Sequence, residues 1–557
     1  MQKVKRCSGP HRLAFFWVLL RLNLLAAILI AGGCGSGESN VASGNREGIL
    51  YWGNGAEPQE LDPHIVTGVP EHYILIALLE GLVQKDAVTL QPQPAVAERW
   101  QVSADGRVYT FEIRASARWS NGDRLTAHDF VWSWMRALTP ELGNAYAYMF
   151  NPISNAQAYA TGELTDFSAV GVKALDDLTL QVTLDDPTPY FLQLLDHYSM
   201  FPVHRATIEK FGSIGEAGTV WTRAGNYVGN GPFVLRQWDL NKKLIVEKNL
   251  LYWDAENVRL NGIHYLPTEN LTTEERMFRA GQLHRTSEVP VGKLDYSREQ
   301  QPASLRIAPY LGTYFYRFNT RLPHLADVRV RKALAMTVDR QAIVDHVLRG
   351  GQQPAYSITP PDTLGYTANS DLRYDVLEAR ELLAAAGYPD GAGFPAVDIL
   401  YNTFEQHRKI AVAIQQMWKQ ALNIDVTIRN QDWKVYLDTQ ASGNFQIARA
   451  AWIGDYVDPN SFLDMWIADG GNNRTGWSDP VYERLVLNEA PTARSVEQRY
   501  SILREAESVL LDAMPIIPIY HYVSIHLVHP SVKGFPGNLL NNPNFKQIYL
   551  QQEPAAP

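Results

Sequence analysis

The residues most able to do chemistry lie close together in the stretch "ARAAWIGDYVDPNSF", residues 448–462. This stretch begins like a buried strand and then offers a cation, Arg449, an indole, Trp452, and a carboxylate, Asp455, just before a turn. If residues 449–455 are extended, the two charges lie about 20 Å apart, too far to neutralise each other. From these residues alone, the simpler interpretation is that Asp455 caps the turn and that Arg449 forms a surface ion pair.

The sequence contains none of the common catalytic motifs. There is no H-E-x-x-H, no G-x-S-x-G and no Walker loop. His521, His526 and His529 form the closest histidine cluster, but in a strand His526 would face away from the other two, which favours packing roles over a metal site. A secreted peptidase is the competing class of function, and it would need an activated nucleophile or a metal. We therefore predict a protein that is not an enzyme and that has no cofactor and no metal.

Alternating strands and helices position this stretch. The segments "AVDILYN", "IDVTIR" and "FQIARAAW" have strand patterns, and "QHRKIAVAIQQMWKQAL", between the first two, has the period of a helix. This series predicts an α/β lobe. On the helix, His407 shares a stripe with Ile410, Ile414 and Trp418, which places it in the first turn at the core-facing edge. Earlier in the chain, "RVYTFEIRASA" and "LTLQVTL" alternate as antiparallel strands do.

The N-terminus has the features of a secretion signal. Basic residues precede an apolar run that stops at "LIAGGC". We interpret residues 1–33 as a signal peptide and Cys34 as the acylated cysteine of a segment that resembles a bacterial lipobox. A membrane-spanning anchor is the alternative, but the uninterrupted apolar run is shorter than the roughly 20 residues that a span needs. Residues 34–48 are polar and rich in Gly and Ser, which predicts a flexible tether.

Composition restricts the partners and the architecture. Removing residues 1–33 takes away five basic residues and no acidic one, so the net charge changes from -9 to -14, which argues against nucleic acid as a partner. The only cysteines are Cys7 and Cys34, so the exported body would contain no thiol for disulfides, metal ligation or catalysis. A body of about 520 residues exceeds what one core supports, so we expect two or three lobes.

Several long stretches, in order along the chain, resemble the extracytoplasmic solute-binding proteins of peptide ABC importers, family 5. They are "ELDPHIVTGVPE", "ARWSNGDRLTAHDFVWSWMRALTP", "GNGPFVLRQW" and "LADVRVRKALAMTVDRQAIV". The stretches "LYNTFEQHRKIAVAIQQMWKQAL", "NQDWKVYLDT" and "ARAAWIGDYVDP" resemble the oligopeptide-binding branch of that family. The resemblance spans nearly all of the mature chain. It implies an α/β, two-lobed periplasmic-binding-protein fold of type II, in its large class, with an extra third domain.

The resemblance also implies that the chain passes between the lobes more than once. It places lobe I in residues 49–82, 206–306 and 523–557, the extra domain II in residues 83–205, and lobe III in residues 307–522.

By the same resemblance, the protein is expected to be a lipid-anchored, monomeric receptor of the periplasm or cell envelope. It would bind short oligopeptides and deliver them to the permease subunits of an ABC transporter. Receptors for a dipeptide, a murein peptide, a nickel chelate or an oligosaccharide remain alternatives within the family, because one fold hosts all of these ligands. Asp455 argues for a ligand that has a free ammonium.

The resemblance assigns roles to eight residues. Asp455 matches the residue that binds the peptide ammonium, and Arg449 matches one on the carboxylate side, so each buried charge would be paired. The remaining assignments place Trp452 and Trp433 in side-chain pockets, His407 at the carboxylate of longer peptides, Tyr146 at the ligand, and Glu57 in a loop at the cleft. Core packing is an equal alternative for Trp433, and a solvated loop acid for Glu57. Gln440 replaces an arginine of relatives with broad specificity, which removes a cation that could hold a carboxylate.

Overall fold

The computed structural model describes residues 38–468 and 470–552. The predicted signal peptide and the predicted lipidation site, Cys34, lie outside these residues. In this part of the chain, no helix combines the length and the apolar character that crossing a membrane requires.

The strands, numbered in chain order, form three larger sheets and two short hairpins. They are β1 Ile49–Gly53, β2 Val83–Lys85, β3 Pro92–Pro94, β4 Ala97–Val102, β5 Val108–Ile113, β6 Val172–Ala174, β7 Thr179–Thr183, β8 Phe233–Asp239, β9 Lys243–Lys248, β10 Gly262–Leu266, β11 Leu305–Phe318, β12 Gln353–Pro354, β13 Val397–Asn402, β14 Val426–Gln431, β15 Ile447–Ile453, β16 Ile516–Leu527, β17 Val532–Lys533 and β18 Tyr549–Leu550.

The helices differ widely in length. The longer ones are Asn40–Glu47, Val69–Leu78, Ala127–Leu138, Leu271–Arg279, Val328–Met336, Val376–Ala385, Glu405–Leu422, Trp433–Ala441 and Val496–Ala513. The shorter ones are Ala156–Ala160, Phe191–Leu194, Arg205–Phe211, Leu294–Gln300, Pro323–Ala326, Arg340–Ala342, Asn460–Leu463 and Pro480–Glu483.

A six-stranded mixed sheet carries the stretch that contains Arg449 and Asp455. Its strand order is β12-β16-β11-β15-β13-β14. Strand β13 pairs in parallel with both β14 and β15, and the helices Glu405–Leu422 and Trp433–Ala441 connect these strands in sequence. The predicted α/β series is therefore confirmed. The helix stripe is confirmed as well, because His407, Ile410, Ile414 and Trp418 are all buried.

Two four-stranded sheets lie in the first half of the chain. One has the order β1-β10-β9-β8, with β1 parallel to β10. The other, β4-β5-β7-β6, is antiparallel throughout, which confirms the antiparallel sheet predicted from the alternating strands. The domain boundaries given above stay a prediction.

Strands β11 and β16 connect the two halves of the molecule. Near Thr313 they pair inside the six-stranded sheet, and at their far ends Leu305 pairs with Leu527. There, the segment after Arg285 joins β16 to the β1 sheet, because Thr286 N donates to Leu527 O (3.0 Å) and Gly53 N donates to Arg285 O (2.9 Å). The β11–β16 pairing shifts register between Pro309 and Thr313. Such an irregularity bends a strand pair, so this crossover can act as a hinge.

The prediction of a flexible tether over residues 34–48 is wrong for the part that the structure describes as a helix. Residues Asn40–Glu47 are helical, with Ser39 as N-cap and Gly48 in the left-handed conformation (φ 71°) as C-cap. The helix is docked, since Val41 is buried and its N–H donates to Gly281 O (2.8 Å). The prediction failed because composition reports low apolar content, whereas a short helix gains its stability from tertiary contacts.

Candidate functional site

A cavity of about 350 Å³ lies between the first half of the chain and the edge of the six-stranded sheet. It falls in the size range of small-ligand sites. Seven of the eight predicted site residues line it: Asp455, Arg449, Trp452, His407, Trp433, Tyr146 and Gln440. The structure therefore brings together side chains that are up to about 300 positions apart in sequence.

Arg449 is a buried cation on β15. Its Nη1 donates to Asn402 Oδ1 (3.2 Å) and its Nη2 to the Tyr522 hydroxyl (3.1 Å), and its guanidinium lies over the Tyr314 ring at 4.9 Å. Its Nε has no partner, and no carboxylate of the described residues forms an ion pair with it. This does not support the interpretation of Arg449 as a surface ion-pair partner. A guanidinium keeps its charge when buried, so Arg449 is available to an anion inside the cavity.

Asp455 lies two residues beyond the end of β15. Its backbone N–H donates to Ser461 Oγ (2.8 Å), and its carboxylate Oδ1 lies 3.4 Å from His197 Nε2. Burial raises the pKa of Asp455 to about 8, although Lys85 acts in the opposite direction. Burial also lowers the pKa of His197 well below its usual value, so His197 is a neutral neighbour rather than a counter-ion.

The hydrogen bonds in the turn do not support the interpretation of Asp455 as its cap. Asp458 fills that role instead, since its Oδ1 accepts from Asn460 N (2.8 Å). No backbone N–H among the described residues donates to the Asp455 carboxylate. The ionised form of Asp455 therefore needs a cation that the protein itself does not place beside it.

Aromatic side chains form the walls next to Asp455. Trp452 is held by its own Nε1, which donates to Ser461 O (2.5 Å). The Tyr146 ring lies 6.1 Å from the Trp452 ring and 4.4 Å from that of His197. On the other side, Trp433 stacks on Tyr436 at 5.7 Å. These rigid, flat surfaces can contact many different side chains without requiring one shape.

Two polar side chains face the cavity with unused hydrogen-bonding capacity. His407, in the first turn of its helix, packs on Phe404 (4.8 Å between rings) and has no partner for its Nδ1. Burial lowers the pKa of His407 well below its usual value, so the ring is neutral. Gln440 is 2% exposed and its Oε1 has no partner. Buried polar atoms without partners are uncommon in proteins, and in a cavity they mark places for a ligand or water.

Glu57 does not join the other predicted residues. It lies outside the cavity lining, and its carboxylate accepts from Trp238 Nε1 (2.7 Å) and from Asn241 N (2.9 Å). The placement of Glu57 at the ligand is therefore not supported, because these donors in the β8–β9 hairpin already satisfy both of its oxygens.

Five charged residues that the sequence analysis did not single out also line the cavity: Lys85, Arg285, Glu288, Arg317 and Arg474. A signal existed for Arg317, which is the only charge within the aromatic strand segment "TYFYRFNT". Arg474 lies in the loop "GGNNRTGW", where no periodic pattern marks it.

Further contacts between distant parts of the chain lie beside the cavity. The Tyr190 ring stacks on that of Tyr456 at 5.3 Å, and its hydroxyl accepts from Asn460 Nδ2 (3.2 Å). Nearby, Val457 N donates to Gln193 Oε1 (3.2 Å). These contacts join the turn after β15 to the region of the antiparallel sheet. The cavity lining thus combines the Asp455 carboxylate, the Arg449 guanidinium and aromatic walls, which suits the binding of a molecule with two opposite charges.

Fold and cavity together define a solute-binding protein of the two-lobed periplasmic type, built from α/β lobes with an extra third domain. The chain belongs to the bacterial extracellular solute-binding proteins, family 5, whose middle-region model matches residues 91–474. The fold expected from the resemblance is thereby confirmed.

Similar proteins with known structures or names agree with this assignment. The chain is 37% identical over 549 residues to the periplasmic oligopeptide-binding protein OppA of Salmonella typhimurium, covering 96% of this chain and 98% of that protein. The crystal structure of Haemophilus influenzae OppA in complex with RPPGFSPFR matches with a TM-score of 0.86 at 35% identity, covering 90% of this chain and 99% of the other. The Escherichia coli murein tripeptide binding protein MppA matches with a TM-score of 0.86 at 36% identity, covering 90% and 98%.

MppA also shows which arrangement of lobes the chain adopts here. Against the unliganded open form of MppA, the TM-score falls to 0.61, although the identity is again 36% and the coverage of this chain again 90%. Sequence divergence cannot explain the difference, because the identity is the same. The lobes described here are therefore arranged differently from those of the open form of MppA.

Proposed function

We propose that the protein is an extracytoplasmic receptor that binds short oligopeptides and delivers them to the permease of an ABC transporter. The carrying observation is that Asp455 and Arg449, two oppositely charged side chains without a charged partner among the described residues, face one cavity. A free peptide has an ammonium at one end and a carboxylate at the other, and burying both requires a counter-charge for each. Asp455 takes the ammonium and Arg449 the carboxylate.

The other lining residues set how permissive the site is. Trp452, Trp433 and Tyr146 offer flat surfaces for side chains of varied shape, and waters fill the remaining space. The neutral His407 offers a hydrogen bond to the carboxylate of longer peptides. Specificity comes mainly from the peptide backbone and its two charged ends, as in other receptors that accept many sequences. Opening and closing proceed about the β11–β16 crossover.

The receptor binds its ligand and performs no chemistry on it. In support, the histidines that line the cavity are held neutral by burial, and His197 Nδ1 is already engaged with Ser199 Oγ (2.8 Å). The relatives described above are named as binding proteins. We further propose that the protein is a monomer anchored to the membrane by a lipid on Cys34. Any tether is shorter than the sequence suggested, because the docked helix begins at Asn40.

The test is incubation of the purified protein with a mixed pool of peptides, followed by two mass-spectrometric measurements. Native spectra of the complex report what is bound, and spectra of the supernatant report whether the pool has been shortened. We expect intact peptides of a few residues in the complex and an unchanged pool. Shortened peptides would indicate a peptidase, and an empty protein would favour one of the other solutes that this family binds.

A further inference from the structure

Basic side chains outnumber acidic ones in the cavity, although the whole chain has a net charge of -9. The lining contains two acidic residues, Glu288 and Asp455, and five basic ones: Lys85, Arg285, Arg317, Arg449 and Arg474. Lys85 is neutralised by Asp196 at 2.7 Å. A peptide with two free ends would neutralise Asp455 with its ammonium and Arg449 with its carboxylate. The positive charges of Arg449 and Arg285 act on Glu288. Within the part of the chain that the structure describes, this leaves two cations, Arg317 and Arg474, without a compensating acid.

Arg317 is a buried arginine that forms no ion pair with any acid in the described residues. On β11 it pairs with Ala448 of β15, so it projects from the opposite face of the sheet to Arg449, which pairs with Tyr316. It is 6% exposed, its Nη1 reaches only Asn472 O at 3.5 Å, and its Nε has no partner. The two arginines therefore serve different parts of the cavity.

Arg474 lies beside Arg317, and among the described residues it too has no acidic partner. No carboxylate in residues 38–468 or 470–552 forms an ion pair with Arg474. Asp438 is near enough to affect its pKa, but the Asp438 carboxylate accepts a hydrogen bond from Gln59 Nε2 (3.1 Å) instead. Burial, and next to it the charge of Arg474, lower the pKa of Arg317 to about 9. Two neighbouring cations in a largely buried place are unfavourable unless an anion joins them.

The loop that carries Arg474 docks at the ammonium end of the cavity. Asn472 Nδ2 donates to Ala145 O (3.4 Å), next to Tyr146. The Tyr146 ring packs on His197, which in turn contacts Asp455 at 3.4 Å. An anion held by Arg474 would therefore lie close to the ligand's ammonium.

We propose that Arg317, Arg474 and Gln440 form a second anion-binding subsite, distinct from Arg449, that takes a carboxylate near the ammonium end of the ligand. The inference rests on the proposed function and specifies its substrate class as acidic peptides. Two arginine forks supply charge-assisted hydrogen bonds, and the side-chain amide of Gln440, which also lines the cavity, can add a neutral donor through its Nε2. The carboxylate has two possible sources: an acidic side chain within the first three residues, or the α-carboxylate of a very short peptide.

The first experiment uses the unmodified protein and isothermal calorimetry. Each position of tetra-alanine is replaced in turn by Glu or by Gln, which have nearly the same shape, and the dipeptide Ala-Ala is compared with its C-terminal amide. At one of the first three positions, we expect the peptide with Glu to bind at least about tenfold more tightly than the peptide with Gln. Alternatively, the free dipeptide should bind more tightly than its amide by that factor. The arm that responds identifies the source of the carboxylate.

The second experiment assigns the effect to the proposed residues. Arg474→Gln and Arg317→Gln should each remove most of the affinity gain of the Glu peptide over the Gln peptide, or of the free dipeptide over its amide. Arg474→Lys should retain part of that gain because the charge remains. Arg236→Gln, at an exposed position on β8, is the matched control and should leave the gain unchanged. If Arg317→Gln fails to fold, Arg474, which is less buried than Arg317, still provides the test.

The proposal is overturned if tetra-alanine binds but no acidic replacement and no free dipeptide gains affinity, or if the gain survives both arginine substitutions. In either case tetra-alanine still binds, so the peptide-receptor function stands. If no peptide binds at all, the proposed function itself has failed, and the second subsite fails with it.

Discussion

Replacing Asp455 by Asn separates a ligand-binding role from a structural one. Burial raises the pKa of Asp455 from its ordinary 3.8 to about 8, which disfavours the ionised carboxylate by about 6 kcal/mol relative to water. The side chain is only 11% exposed, so solvent screens this cost little. A peptide ammonium offsets that cost by supplying the missing cation, and Asp455→Asn leaves the ammonium buried without a counter-charge. The expected loss is about 2 to 5 kcal/mol of binding, or roughly 30-fold to several thousand-fold in affinity.

The assay is calorimetry of tetra-alanine and N-acetyl tetra-alanine against the unmodified protein and Asp455→Asn. The acetylated peptide lacks the ammonium, so it should bind the unmodified protein poorly and lose little more on substitution. Asp512→Asn is the matched control, because Asp512 forms an exposed pair with Lys332 away from the cavity. If the substitution lowers thermal stability slightly and leaves both affinities unchanged, Asp455 is a structural residue and our assignment of the ammonium site is wrong.

Three further predictions test other parts of the account. Arg449→Met should weaken tetra-alanine at least about tenfold but leave its C-terminal amide nearly unaffected, and equal losses in calorimetry would contradict the carboxylate role. Burial raises the pKa of Glu274 to about 7, so the stability that its protonated form provides at low pH is lost as the pH rises through about 7. The melting temperature of Glu274→Gln should accordingly rise relative to that of the unmodified protein between pH 5 and pH 8, and parallel curves would refute this. Cys34→Ser should move the protein from the salt-washed membrane fraction to the soluble one without changing peptide affinity; persistence in membranes would rule out the lipid anchor.

Local periodicity made much of the fold around the site predictable. The alternation in β13, β14 and β15, and the stripe that begins at His407, are short-range patterns that each element needs in order to bury one face. Arg449 and Asp455 stood out for the same reason, since charges beside a buried strand interrupt the apolar pattern. That the two face one cavity could not be read from these patterns, because it depends on the pairing of β11 with β15 and on contacts such as Asn460 with Tyr190.

The failures have a common physical origin in long-range contacts. The helix Asn40–Glu47 is stabilised by docking, in which His284 Nε2 contacts Asn45 Oδ1 (3.1 Å) far along the chain. Arg474 gains its position from a loop that docks beside Ala145. Glu57 lies outside the cavity lining, and the hairpin around Trp238 satisfies its carboxylate. In none of these cases does the local sequence contain the partner that decides the outcome.

The most direct test of the central claim is to identify what the protein carries when it is purified under native conditions from its own cells. The protein is washed, then denatured, and the released molecules are sequenced by mass spectrometry, with Asp455→Asn purified in parallel. The account predicts intact short peptides with both ends free, at much lower occupancy in Asp455→Asn. Recovery of a non-peptide solute, or of peptides with blocked N-termini at equal occupancy in both proteins, would contradict it.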